Sequence, residues 1–263
     1  MNEEKPRNRT RALVAVCFIA GAVIIAVLVL VLHNFVFVIK NVNVEGARQS
    51  DPEKVAAASG VETGKPMYSI NKSEISRRIM KSNPYVESVS VKRALPSDLN
   101  ITVAESDASC YCVIADEYFI LSDGLRVLEY TDDAKHAADA ASFRLILPDV
   151  SRMILGEKVS FFSDSDHEYI KDVIDAVVAS RLSERIELVS VKNKFGVYAV
   201  CDGMYRIYLG SYEDASLKLE VAFAIIDSGK LTDAVNAEID VSDPTEAQVI
   251  SDKNLILAPD VQK

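Results

Sequence analysis

The stretch from Ala12 to Leu32 holds 21 residues with no charge, no proline and one glycine, Gly21. Such a run leaves a chain few choices. As a helix rising about 1.5 Å per residue it is about 30 Å long, the depth of a bilayer's hydrocarbon layer. A cleaved signal peptide has a shorter apolar core and small residues at its cleavage site. Here the core runs straight into the bulky Val31-Leu32-His33-Asn34-Phe35-Val36-Phe37. The segment reads as an uncleaved transmembrane helix over 12–32. Lys5, Arg7, Arg9 and Arg11 precede it, against Glu3 and Glu4. That basic excess keeps residues 1–11 in the cytoplasm and sends residues 33–263 outside.

The formal net charge is −10, and the tail before Ala12 contributes +2, leaving −12 for the rest. An acidic outer portion has no electrostatic reason to bind nucleic acid or anionic lipid; it keeps a domain soluble. Cys17 lies in the apolar segment, and Cys110, Cys112 and Cys201 lie beyond it. Three outer cysteines do not build a full disulfide framework. Cys110 and Cys112 share one face of a strand, a poor geometry for bridging each other. Buried thiols packed as small apolar residues are the expectation, with a bridge from Cys201 to Cys110 or Cys112 as the alternative.

Two outer modules are expected, at 37–105 and 106–250, followed by a tail at 251–263. In the first, a strand begins at Phe37 and ends at Gly46, with Val38, Val42 and Val44 on one face. Asp51-Pro52 starts a short helix that closes at Gly60. Gly60-Val61-Glu62-Thr63-Gly64-Lys65 is not a phosphate-binding loop. It has three residues between its glycines, and Pro66 stands where Ser or Thr is needed. Asn71 caps a second helix, Lys72 to Ser82, with Ile75 and Ile79 inward and Arg77, Arg78 and Lys81 on a solvated face. Asn83-Pro84 stops it. Strands Val86 to Val91 and Leu99 to Val103 flank a connection at Ala94-Leu95-Pro96-Ser97-Asp98.

In the second module, strands are expected at Cys110 to Ala115, Tyr118 to Leu121, Arg126 to Tyr130 and Phe143 to Leu147. Thr131 to Ser142, polar and alanine-rich, reads as an exposed insert. Ser163-Asp164-Ser165-Asp166-His167-Glu168 has too few ligands and no suitable glycine for Ca²⁺ or Zn²⁺, and reads as a helix cap. Ile170, Val173, Ile174, Val177 and Val178 mark the inward face of that helix. Strands follow at Ile186 to Val191, Val197 to Cys201 and Met204 to Leu209. A helix from Asp214 to Asp227 turns Leu217, Val221, Ala224 and Ile225 inward and closes at Gly229. A strand spans Ala237 to Val241, and Ala247 to Ile250 adds a short edge strand. The last dozen residues are expected to fray, with Leu255-Ile256-Leu257 available to pack.

Certain residues carry a family resemblance. They run Phe37-x₄-Val42-x-Val44-x-Gly46, Gly60-x₃-Gly64-x₂-Met67, then Ile70 and Ile79-x₄-Pro84-x-Val86-x₂-Val89-x-Val91-x-Arg93-x₂-Pro96-x₂-Leu99-x-Ile101-x-Val103-x-Glu105. This order resembles the POTRA domain of the FtsQ/DivIB bacterial cell-division proteins over about 70 residues. The likeness continues in Tyr118-x-Ile120-Leu121-x-Asp123-Gly124-x-x-Val127, in Leu209-Gly210, in a helix bearing Lys218, and in Ile239-Asp240-Val241. One departure is the join: Glu105-Ser106-Asp107-Ala108-Ser109-Cys110 replaces a Glu-Arg-x-Pro-x-Ala pattern. The implied fold class is α+β: a single N-terminal transmembrane helix, a βααββ POTRA domain, then a larger mixed β-sheet domain flanked by helices.

The three histidines, His33, His136 and His167, are scattered, and no nucleophile-elbow, zinc-protease or penicillin-binding motif is present. Paired acids act in space and leave a wall hydrolase or wall-binding module as the alternative. The resemblance implies a non-enzymatic division protein with no cofactor, no metal, no nucleic acid and no small-molecule substrate. It implies partners like the coiled-coil proteins FtsB/DivIC and FtsL, a place in the cell membrane at the septum, and recruitment through the POTRA face. It also places partner contacts at Ile239, Asp240 and Val241, with Gln248, Val249 and Ile250 joining them at a sheet edge.

Overall fold

A computed structural model describes residues 7–163, 166–229, 231 and 236–261. The chain divides into two compact units, Met1–Glu105 and Ser106–Lys263.

In the first unit, α1 (Arg7–Val31) continues through a π-helical turn, Leu32–Val36. Phe37 N closes that turn on Leu32 O at 2.8 Å. The helical stretch Leu13–Val36 is long and apolar enough to cross a membrane, and none of it is buried within the protein. Next come β1 (Asn41–Glu45), α2 (Pro52–Ser59), α3 (Lys72–Ser82), β2 (Val86–Ala94) and β3 (Asp98–Glu105). The sheet order is β1-β3-β2. β1 runs parallel to β3, pairing Asn41 with Asp98 through to Glu45 with Thr102, and β2 runs antiparallel to β3.

The first strand starts later than Phe37. Residues 37–40 give their backbone groups to loops instead: Met67 N donates to Phe37 O (2.8 Å), Ile39 N to Lys65 O (3.0 Å), Gly64 N to Ile39 O (2.7 Å) and Lys40 N to Ser97 O (2.8 Å). The strand expected to begin at Phe37 is therefore shortened at its start. Ile39 is fully buried, whereas Val42 and Val44 are half-buried at the edge of the core. Ile79, Leu99 and Ile101 complete that core at 0% exposure, each contributing about 1.5–3 kcal/mol of apolar transfer.

Both helices start where their capping residues stand. Asp51 accepts from Glu53 N at 2.9 Å, and Asn71 accepts from Ser73 N and Glu74 N. Gly60 ends α2 at φ +64, and a Cβ there would lie 2.4 Å from the Arg78 guanidinium. Glu105, the last residue of β3, ties down the loop after β1. Its carboxylate accepts from Arg48 N and Gln49 N at 2.7 Å each and from Ser50 N at 3.0 Å.

The second unit contains β4 (Ala108–Ile114), β5 (Glu117–Ser122), β6 (Val127–Thr131), α4 (Ala134–Ala140), β7 (Phe143–Ile146), β8 (Val150–Arg152) and β9 (Ser160–Phe161). It continues with α5 (Asp166–Ala179), β10 (Ile186–Ser190), β11 (Val197–Cys201), β12 (Tyr205–Gly210), α6 (Ala215–Asp227), β13 (Ala237–Asp240) and β14 (Gln248–Ser251). Among the described residues, nine of these strands form one mixed sheet in the order β14-β13-β12-β11-β10-β7-β4-β5-β6. α5 and α6 pack on one face, joined by alternate residues such as Val189, Ala199, Ile207 and Ile239. Cys110, Cys112 and Cys201 are free and buried in that same core. Burial pushes the Cys112 and Cys201 thiols up to about 12, so they stay protonated and inert.

Four expectations need correcting. Thr131 to Ser142 is no exposed insert. Asp133 caps α4 by accepting from Lys135 N (2.8 Å), and Ala137 is fully buried; alanine gives a close-packing face as well as a polar-looking sequence. Val178 lies 50% exposed, and Tyr169 and Ala176 take its place in the core. α6 is turned relative to the expected face. It buries Ala215, Lys218, Leu219, Ala222 and Ile226, while Leu217 is 54% exposed. Finally, residues 252–261 do not fray. They fold back over the sheet face opposite α5 and α6, where Leu257 and Ala258 pack on Leu188, Tyr198 and Val200. In the acidic cluster, Asp164 and Ser165 lie outside the described residues, and α5 opens at Asp166, whose N–H donates to Ser163 O at 3.2 Å.

Glu105 makes a testable contribution. Burial pushes its carboxyl up, but hydrogen bonds from Gln49, Ser50 and Arg48 outweigh this and hold it below the ordinary carboxylate range. Its stabilisation is therefore present above the unfolded-state value and disappears as pH falls through the lower folded value. Glu105→Ala leaves three loop amides to water and is expected to cost about 1 kcal/mol in urea unfolding at neutral pH. That difference should shrink towards zero in strong acid.

Candidate functional site

A sheet binds another chain at a strand whose outer N–H and C=O groups are unused. The two ends of the nine-stranded sheet differ in this respect. At the β6 end, residues 156–159 cover the start of the strand: Val127 N donates to Glu157 O (2.9 Å), Gly156 N to Val127 O (2.8 Å) and Val159 N to Leu125 O (2.9 Å). At the other end β14 pairs with β13 alone among the described residues. All four of its residues are exposed.

The six residues singled out from the sequence lie together here, five of them in the β13–β14 ladder and Val241 just past the end of β13. Ile239 pairs with Val249, Glu238 with Ile250 and Asp240 with Gln248. Their surroundings differ. Ile239 and Val241 are fully buried in the main core. Asp240 is half-buried, and its Oδ1 accepts from Ser242 N at 2.9 Å. β13 has β12 on one side and β14 on the other, so its main chain is already used. Gln248, Val249 and Ile250 are the residues at the surface, with Val249 41% and Ile250 53% exposed.

One part of the site was not anticipated. The outward side of α6 and β14 together form a concavity of about 620 Å³, lined by Val221, Ala224, Ile225, Leu231 and Val249. Three of these residues are those expected to face the core. The signal that bears on this is Lys218, one residue from Leu217, with the helix apolar on nearly every side. Lys218 is inward and 4% exposed, and its Nζ donates to Ser211 O at 2.8 Å. Burial lowers its pKa, opposed by Asp214 and Glu213.

The chain after β14 holds that strand in place. Arg206 on β12 pairs with Glu238 on β13, and its Nη1 also donates to Ile256 O at 2.8 Å. Asp252 N donates to Asn236 O at 3.0 Å. Further on, Asp260 accepts from Ser190 Oγ at 2.8 Å. A four-residue edge strand has little hold of its own; residues 252–261 strap its far end to β10–β12.

A concavity of about 620 Å³ also lies between α5 and the start of α6, bordered by Asp172, Asp175, Glu213 and Asp214. Asp175 is engaged by Lys171 Nζ at 2.5 Å. Among the described residues, no three His, Cys, Asp or Glu side chains are grouped so as to hold a metal ion.

Comparison with known proteins places this geometry in context. Residues 37–106 match the family model of the FtsQ-type POTRA domain. The chain is 25% identical over 209 residues to the cell division protein FtsQ of Corynebacterium glutamicum, covering 76% of this chain and 84% of that protein. It is 23% identical over 194 residues to the cell division protein DivIB of Clostridium tetani, covering 74% and 71%. Among solved structures, the major extracytoplasmic domain of DivIB from Geobacillus stearothermophilus, in its trans isomer, aligns at 14% identity. That alignment has a TM-score of 0.30 and covers 49% of this chain and 99% of that one.

Cutting the strap tests its hold on the edge. Leu257→Asp places a charge against Leu188, Tyr198 and Val200. It should raise amide hydrogen exchange in β14 by about tenfold, a local loss of about 1.4 kcal/mol, and leave β10–β12 protected. Unchanged exchange in β14 would show that its pairing with β13 suffices.

Proposed function

We propose that the chain is a non-enzymatic membrane scaffold of the FtsQ/DivIB kind, supported by its FtsQ-type POTRA match and by its similarity to cell division proteins FtsQ and DivIB. Its outer edge strand captures an extended segment of a division partner. Residues 1–11 lie in the cytoplasm and 12–32 cross the membrane once. The POTRA domain at 37–105, the β-domain at 106–250 and the tail at 251–263 lie outside, at the septum. The partners are coiled-coil membrane proteins like FtsB/DivIC and FtsL, and their capture regulates septal peptidoglycan synthesis.

The observation that carries this reading is the exposed, singly paired strand Gln248–Ser251. An incoming strand gains main-chain hydrogen bonds from β14, which give affinity without demanding a particular sequence. Val249 and the outward side chains of α6 offer the adjoining apolar surface that gives preference. Gln248, Val249 and Ile250 touch the partner. Ile239, Asp240 and Val241 act beneath them, fixing the register of β14. Catalysis is no part of this reading, and the relatives are named as cell division proteins.

The test uses the full chain in membranes. Val249→Pro removes one N–H from the edge and is expected to lower partner binding at least about tenfold, the loss of one or two well-made main-chain bonds. The thermal transition should shift little, because β14 lies at the edge of the fold. Photoreactive residues at 248 and 250 should crosslink the coiled-coil partner, and one at the buried 239 should not. Normal pull-down of the partner by Val249→Pro would place the contact elsewhere.

A further inference from the structure

A soluble domain tied to a membrane can hang free on its tether or sit on the lipid. The first unit contains a marker that separates these cases. Tyr68, in the short turn Met67–Ser69, is 51% exposed although its neighbour Met67 is fully buried. Its ring stacks on that of His33 at 6.4 Å and meets that of Phe37 edge-on at 5.9 Å. His33 lies inside the apolar helical stretch Leu13–Val36, three residues before its end. A side chain of the folded module thus stands level with the last turn of the span.

The rest of that end of the module agrees. Lys40 N bonds to Ser97 O, and β1 starts opposite Asp98, so the β2–β3 hairpin tip lies at the same end as the span's exit. Leu95, at that tip, is 58% exposed. Among the described residues of 37–105, Tyr68 and Leu95 are the large apolar side chains left exposed. Neither is at the opposite end. Arg93 braces the turn that carries Tyr68: its Nε donates to Met67 O at 3.0 Å, its Nη2 to Ile70 O at 3.3 Å, and its guanidinium lies 5.4 Å from the Tyr68 ring centroid. The acidity of the outer chain does not extend here, since residues 37–105 carry ten Lys and Arg against eight Asp and Glu.

We infer that Tyr68 and Leu95 form a seat that rests the POTRA module on the lipid headgroup layer of the membrane that α1 spans. Tyrosine suits that layer, with an apolar ring and a hydroxyl that stays wet. Exposed Lys40 and Lys92 flank the seat and favour phosphate-bearing headgroups. Two side-chain contacts beside a covalent span fix the module's tilt, because the span already supplies the proximity. This inference rests on reading α1 as a membrane span.

The chain has no tryptophan, so one substitution makes a clean reporter. Full-length Tyr68→Trp, Leu95→Trp and, at the far end beside Glu105, Gln49→Trp are placed in phosphatidylcholine–phosphatidylglycerol vesicles. The vesicles carry a nitroxide on a fraction of the lipid headgroups. Y68W and L95W should show blue-shifted emission and lose at least about half of it to the nitroxide, as interfacial side chains do, while Q49W keeps its emission. Two independent probe positions guard against one substitution disturbing its own surroundings. Equal, weak quenching of all three, in a chain that resists an alkaline carbonate wash, would overturn the seat and keep the span. Release of the chain by that wash would overturn both.

Discussion

Main-chain hydrogen bonding, and where it is left unfinished, governs this protein. Inside the second unit each strand from β13 to β5 has a neighbour on both sides. At the start of β6, residues 156–159 bond to Leu125 and Val127. β14 pairs on one side alone among the described residues, and it is short and exposed along its whole length. Buried Ile239 and Val241 anchor the layer beneath it. The surface proposed to face a partner is thus thin, rigidly backed, and cheap in apolar area.

Much of this was legible in the residues alone. Capping chemistry located both POTRA helices to the residue, because Asp51-Pro52 and Asn71 each satisfy amides that nothing else in the loop reaches. Alternation located most strands, and the order of motifs carried the resemblance to the FtsQ-type POTRA domain that the family model matches over residues 37–106. What was not legible depended on choices between similar energies. α6 is apolar on nearly every side, so periodicity does not select a face. The selection comes from Lys218, whose long stem reaches the Ser211 carbonyl from inside. Residues 37–40 read as the start of a strand yet spend their hydrogen bonds on two loops that are distant in sequence. Thr131 to Ser142 and the chain after Ser251 look polar, but one or two small or apolar residues in each, Ala137 and Leu257, meet a complementary face that only the assembled sheet provides.

The candidate site shows the same division. Its two strands follow from short-range pattern, with Gln248, Val249 and Ile250 at the edge, while the register that sets Ile239 against Val249 comes from the assembled sheet. The apolar concavity beside them belongs to tertiary structure, since it is made by the outward side of a helix more than 20 residues earlier in the chain. The strap that follows β14 is likewise a tertiary product. Arg206 serves two partners at once, Glu238 on the neighbouring strand and the Ile256 carbonyl on the strap. A single guanidinium with several donors in one plane is suited to that double role.

The parallel pairing of β1 with β3 has a mechanical meaning. A pull on the two chain ends of this domain would act across Asn41, the start of β1, and Glu105, the end of β3. These points lie at opposite ends of two adjacent strands aligned in the same direction. The load is then shared along the ladder from Asn41–Asp98 to Glu45–Thr102, and the bonds must slide together and not peel one by one. Resistance of this kind is set by an unfolding rate more than by equilibrium stability. This arrangement lets a domain of modest size carry a pull along its chain without opening.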